Sequence, residues 1–198
     1  MHPETRRWSG YVGFLVLRHE LTLKEMTLRG FKHNSPCTSG KNIEGKISHV
    51  PYIDLPERQF EILRKKYIQK NQRGRIPLPS TGSEFWSHHK YSVMSRGYQY
   101  YLDIQQFMKN RKDRPIGQEH DLIRMTQVHL EKQMTLKALS NVTEHLWGYF
   151  KNKANLQERT HFFNLPDSIK KLNYLFRMAE KYQQNYLLYS TIFADFLP

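Results

Sequence analysis

Pro166-Asp167-Ser168-Ile169-Lys170-Lys171-Leu172-Asn173-Tyr174-Leu175-Phe176-Arg177-Met178-Ala179 sets the fold class. Ile169, Leu172, Phe176 and Ala179 follow one another at steps of three, four and three, which lines one face of an α-helix, whereas a half-buried strand would alternate at every second residue. The pattern predicts a last helix running from Pro166 to Tyr186. Working back toward the amino end, the same period recurs. Leu122, Met125, Leu130 and Met134 predict a helix over 119–138. Trp86, Tyr91 and Met94 predict another, whose start near Ser83 that residue's hydroxyl can cap. Breaks near Gly97, Asn110–Gly117, Lys151–Asn155 and Leu165–Pro166 divide this part into roughly five helices.

Toward the amino end, Trp8, Tyr11, Val12, Leu15, Leu23 and Met26 predict a helix from Pro3 to about Phe31, weakened early by Gly10 and Gly13 and stopped at Gly30. Residues 32–55, with Asn34, Ser35, Pro36, Gly40, Gly45 and Pro51, read as a long loop. A further helix starts near Pro56, with Phe60, Leu63 and Tyr67 on its buried side. The segment 71–83, with Gly74, Pro77, Pro79 and Gly82, reads as a linker. Nothing alternates as a sheet. The expectation is an all-α protein in two parts, 1–79 and 80–198.

The 198 residues include 31 lysines and arginines against 18 acids, a formal charge of +13. Such a balance points to a polyanionic partner, with nucleic acid first among them. Cys37 is the single cysteine, which excludes an intramolecular disulfide and a cysteine-held metal cluster and fits a reducing cytoplasm. No run of residues is apolar and long enough to cross a bilayer. The start lacks the apolar core of a signal peptide. A cytoplasmic protein without a cofactor is expected.

Between Glu61 and Glu84 there is no acid, while Arg64, Lys65, Lys66, Lys70, Arg73 and Arg75 accumulate. Lys65, Lys66, Lys70, Arg73 and Arg75 are the first candidates for phosphate contacts, which give salt-sensitive affinity rather than sequence readout. His88 and His89 are not read as metal ligands. Adjacent helical residues point about 100° apart, and no carboxylate or cysteine completes a ligand spacing.

His2-Pro3-Glu4-Thr5-Arg6-Arg7-Trp8, Leu17-Arg18-His19-Glu20 and Arg29-Gly30-Phe31-Lys32-His33-Asn34-Ser35-Pro36 resemble the central region of pyrimidine-dimer DNA glycosylases of the endonuclease V type. The likeness extends through Pro56-Glu57-Arg58-Gln59 to about residue 70. In that family an imine on the α-amino group of the mature first residue, assisted by a carboxylate of the first helix, cleaves the damaged strand. Both would lie ahead of His2, so the resemblance implies a truncated segment. Glu4, Glu20 and Glu25 match neither role by position, and whether the chain is an enzyme stays open.

His88-His89-Lys90-Tyr91 and, above all, Asn141-Val142-Thr143-Glu144-His145-Leu146-Trp147-Gly148-Tyr149-Phe150-Lys151 resemble the YbgA-like domain, over roughly 84–198. The resemblance marks His89, Lys90, Tyr91, Asn141, His145, Gly148, Tyr149, Phe150 and Lys151 as motif positions. Two readings of them stand side by side. In one, Tyr149 or Trp147 stacks on an extruded base while Lys90 and Lys151 hold phosphate. In the other, Leu146, Tyr149 and Phe150 pack in a core, Gly148 lets helices approach and His145 makes a buried hydrogen bond. Together the two resemblances imply a nucleic-acid-binding protein of pyrimidine-damage repair that meets damaged duplex DNA without cutting it. The alternatives are a glycosylase and lyase whose catalytic part is missing, and an accessory to RNA base metabolism.

Overall fold

The computed structural model describes residues 3–28, 31–32, 50, 53–71 and 76–196. Among them it holds eleven α-helices and no strand, as the periodicity requires. The chain forms two compact units, Met1–Ile62 and Leu63–Pro198, which part inside the third helix. Residues 63–79, which precede the sequence boundary, fall in the second unit.

In the first unit, the helix expected over 3–31 is two: α1 (Pro3–Trp8) and α2 (Val12–Leu28). Gly10 separates them with a φ of +84°, a left-handed conformation that glycine adopts without a Cβ penalty. Trp8 stacks on Phe14 across this turn at 6.0 Å, and Phe14 and Val16 are buried. α3 (Pro56–Gln69) begins at its proline as expected and is followed by Asn71 at φ +47°, a common helix-ending residue. Its expected buried side is absent: no residue of α3 is buried, and Leu63 and Tyr67 are 38% and 36% exposed. Periodicity says which residues share a face, not whether another element covers it. The stop at Gly30, and Cys37 with most of the loop 32–55, lie outside the described residues.

The second unit continues with α4 (Gly82–Met94), α5 (Tyr98–Lys109), a 3-10 turn at Ile116–Gln118, α6 (His120–Leu130), α7 (Leu136–Trp147), α8 (Leu156–Asn164), α9 (Ser168–Lys181), α10 (Asn185–Leu188) and α11 (Thr191–Phe196). α4 is the axis, packed against α5, α6, α7 and α11, while α9 packs against α7, α10 and α11. Val93, Met94, Ile104, Leu122, Leu139, Val142, Leu146, Leu172, Leu175 and Ile192 form its nearly solvent-free core.

All four expected breaks are present, but three local expectations change. The cap of α4 is Thr81, whose hydroxyl accepts from the Glu84 N–H at 3.3 Å; the Ser83 N–H instead donates to Asp113 Oδ1 at 2.9 Å. The helix expected over 119–138 divides at residues 131–135, where Thr135 turns outward to cap α7 through the Ala138 N–H. The last helix ends at Lys181, because Gln183 adopts φ +51°. The Gln184 N–H then donates to the Ala179 carbonyl at 2.8 Å and the Gln183 N–H to that of Glu180 at 3.1 Å, the paired bonds of a Schellman ending. Glycine usually marks such an ending, and here glutamine conceals it.

The linker's second half is tied down. Pro79 is buried and its carbonyl accepts from Arg64 Nη2 at 2.8 Å. The Ile116 N–H donates to Ser80 and the Gly82 N–H to Arg114. Gly82 is needed for this close approach, since a Cβ there would stand 2.9 Å from Glu119 Cδ. The buried Glu119 carboxylate is paired with Arg111 Nη2 at 2.7 Å.

Candidate functional site

Lys90 and Tyr91 follow one another on α4, so their side chains leave the helix about 100° apart. Tyr91 is buried and Lys90 half-buried. Tyr149 reaches them from the turn after α7, and Tyr186 from α10. The Tyr91 hydroxyl donates to Tyr149 Oη at 3.2 Å. Lys90 Nζ donates to Tyr149 Oη at 3.5 Å and, in a much shorter bond, to Tyr186 Oη. The ammonium also stands 4.8 Å from the Tyr91 ring centroid and 4.6 Å from that of Tyr186, within cation–π range.

Three phenols of this region, Tyr91, Tyr186 and Tyr101, are held in the neutral form. Burial, followed by the hydrogen bond to Tyr149, drives the Tyr91 pKa far upward. Burial likewise raises Tyr186, and it raises Tyr101 together with the neighbouring phenols Tyr98, Tyr149 and Tyr186. No carboxylate among the described residues pairs with Lys90, so its charge is held by oxygens and ring faces alone.

Beside the cluster lies a cleft of about 830 Å³. Lys90 and Tyr186 belong to its lining, with Trp86, Tyr101, Gln105 and Lys109. Trp86 and Tyr101 stack on each other at 5.9 Å, and Gln99, also in the lining, donates to Asp103 Oδ1 at 2.8 Å. His145 touches this region from behind, its ring 5.8 Å from Tyr101 and 6.1 Å from Tyr98.

The structure therefore gathers Lys90, Tyr91 and Tyr149, with His145 alongside, and disperses the other motif positions. His89 faces away, its ring 4.6 Å from Phe85 and its Nδ1 3.4 Å from Thr191 Oγ1. Its pKa is pushed down to about 4 by burial and then by the like charges of His88 and Arg96. Asn141 is half-buried one turn before His145 on α7, and Lys151 is exposed just beyond that helix. Phe150 is fully buried, whereas Tyr149 is 38% exposed and does not pack as a core residue. His145 is exposed too, so it makes no buried hydrogen bond. Trp147 is buried and stacked on Phe162 at 4.3 Å, which removes it as a platform for a base. Gly148 admits no helix: a Cβ there would meet only the carbonyl of His145, at 3.1 Å.

Lys65, Lys66 and Lys70 are exposed on and just past α3; Arg73 and Arg75 lie outside the described residues. Sequence reading missed Trp86, Tyr101, Tyr186 and Lys109 as site residues. It also passed over Lys109, Arg111, Lys112 and Arg114, a basic segment that it took only for a helix break.

Residues 90–196 match the profile of DUF1722, described as a protein of unknown function, over more than half of the chain. The chain belongs to the DUF1722 family. The match opens at Lys90 itself and takes in Tyr149 and Tyr186, so both the phenol cluster and most of the cleft lie within the DUF1722 region. Residues 1–39 match the profile described as pyrimidine dimer DNA glycosylase. No curated protein and no solved structure matches the chain. No helix among the described residues is long and apolar enough to cross a membrane.

Proposed function

We propose that this chain binds nucleic acid, pyrimidine-damaged duplex DNA in particular, and that it recognises the lesion rather than cutting the strand. The observation that carries the reading is the glycosylase-like segment, residues 1–39, on a chain of net charge +13. Exposed Lys65, Lys66 and Lys70 supply cations that can neutralise phosphates. Recognition without cleavage is supported by Glu4, Glu20 and Glu25, none of which matches by position the carboxylate that the family's chemistry uses. The single cysteine suits a cytoplasmic setting. Functionally, residues 1–79 form the glycosylase-like part and residues 80–198 the YbgA-like part.

The test is a titration of the chain against labelled duplexes with and without one cyclobutane pyrimidine dimer, at two salt concentrations, with the products run on a denaturing gel. Tighter binding to the damaged duplex without a nick is the expected result. A nick at the lesion returns the chain to the glycosylases. Equal affinity for both duplexes removes the lesion from the reading, and no binding at either salt removes DNA.

A further inference from the structure

The cleft beside Lys90 constrains what can occupy it. Its volume of about 830 Å³ falls within the ~300–1,000 Å³ typical of small-ligand sites. It admits one nucleotide-sized molecule and no duplex. Trp86, Tyr101 and Tyr186 bring aromatic surface to the lining, which suits a flat ligand. Gln99 and Gln105 bring side-chain amides to the lining; Gln99 Nε2 is engaged by Asp103 and Gln105 by Tyr101, and each amide keeps further donor or acceptor capacity for the mixed edge of a heteroaromatic ring.

Lys90 and Lys109 bring two positive charges to a lining whose one carboxylate is Asp103, itself bonded by Gln99. An ammonium has three protons to donate. Two of those on Lys90 are directed at Tyr149 and Tyr186, and no other acceptor among the described residues takes the third. The phenol oxygens hold the nitrogen without neutralising it, which leaves a fixed cation ready for an oxyanion.

We infer that this cleft binds a mononucleotide unit, its base against the aromatic lining, its base edge on Gln99 and Gln105, and its phosphate on Lys90. The inference deepens the nucleic-acid reading and rests on it for the source of the nucleotide, either a residue turned out of a strand or a free nucleotide. Tyr149 is then a positioning residue that holds Lys90, with Tyr91 holding Tyr149 in turn.

The full chain is titrated with thymidine 5′-monophosphate, thymidine and inorganic phosphate by calorimetry, with tryptophan fluorescence as a second signal. Saturable binding of the monophosphate is expected, and Lys90→Ala should weaken it by about tenfold to a hundredfold, the loss of one charged hydrogen-bonded contact. The same variant should leave thymidine affinity within about twofold, since the nucleoside has no phosphate to lose. Gln105→Glu, at an exposed position, should weaken the monophosphate more than the nucleoside.

Three results overturn the inference: no saturable binding of the monophosphate, undiminished binding by both variants, or phosphate alone binding as tightly as the nucleotide. The damaged duplex separates the two readings. Monophosphate binding without duplex affinity leaves the cleft standing with a free nucleotide as its ligand and sinks the DNA reading. Duplex affinity unchanged by Lys90→Ala, with no monophosphate binding, does the reverse.

Discussion

α3 and α4 are helices of 14 and 13 residues that the sequence treats alike, each with an apolar stripe among charges. α3 buries nothing, while α4 buries eight residues, among them His88 and Ser92. The difference lies in what surrounds them. α4 is enclosed by four other helices, and its polar groups are accepted into the core because they are bonded there: Ser92 Oγ lies 2.6 Å from Thr191 Oγ1, and the Ser92 carbonyl accepts from Arg96 and Ser95. The same contrast separates their lysines. Lys65 and Lys66 stand exposed to water, whereas Lys90 is held by phenols and has a direction.

The largest effect that can break this comparison is on stability. Leu146 has no exposed surface and Leu63 is 38% exposed. Leu146→Ala should cost about 2–5 kcal/mol, the usual range for a core leucine. Leu63→Ala should cost no more than about 0.5–1 kcal/mol. Urea unfolding measures both, and equal losses would show that α3 is covered after all.

How much of this contrast was legible follows from range. Helical class and the breaks at Gly97 and Leu165–Pro166 are local properties, written in spacing and in glycine and proline, and they can be read directly. The cap of α4 was legible in principle, since Thr81 and Glu84 stand at capping-box spacing; Ser83 competed for the role but already lies inside the helix, which begins at Gly82. Lys90 and Tyr91 were legible as motif positions, but Tyr186 lies 96 residues from the lysine that it holds. Nothing in the period of the last helix distinguishes a tyrosine that meets Lys90 from one that meets water. The turn at Gln183, which sets α10 at its own angle and so places Tyr186, is the missing link.

A smaller effect sharpens the contrast between the two kinds of lysine. If the α3 lysines act as diffuse charges on a nucleic acid, Lys65→Gln, Lys66→Gln and Lys70→Gln together should lower the slope of log K against log salt by about three, roughly one per phosphate contact. The melting temperature should hardly change, since all three are exposed. An unchanged slope would reduce this face to a solvated one.

Acid sharpens it again, within the second unit. Burial, then the charges of His88 and Arg96, lowers His89 from 6.5 to about 4. Hydrogen bonds from Lys181 and Tyr182 lower Glu158 from 4.5 to about 2. In both cases the unfolded chain takes up the proton first, so stability is complete above the unfolded value and is lost as pH falls. Two successive losses are expected, from pH 6.5 toward 4 and from 4.5 toward 2. His89→Gln should flatten the first in a urea series across pH, and Glu158→Gln the second. A first window that survives His89→Gln would assign it to another group, His88 and His129 being the other histidines lowered by burial.

The smallest effect falls on the turn that places Tyr186. Gln183 carries its side chain at φ +51°, where an L-residue other than glycine or asparagine is disfavoured by roughly 1 kcal/mol. Gln183→Gly removes that strain but gives the unfolded chain more freedom, so a net gain of about 0.5 kcal/mol remains. In a chain of this size that is a rise of about 1–2 °C in melting temperature. The Schellman bonds to Ala179 and Glu180 use only backbone atoms and survive the change, so Tyr186 stays on Lys90 and nucleotide affinity should not move. Gln183→Pro removes the N–H that reaches Glu180 and forces φ negative; it should both destabilise the chain and weaken the monophosphate. If Gln183→Gly lowered the melting temperature instead, the glutamine side chain would be contributing to this turn, and the ending of α9 would need more than backbone to hold it.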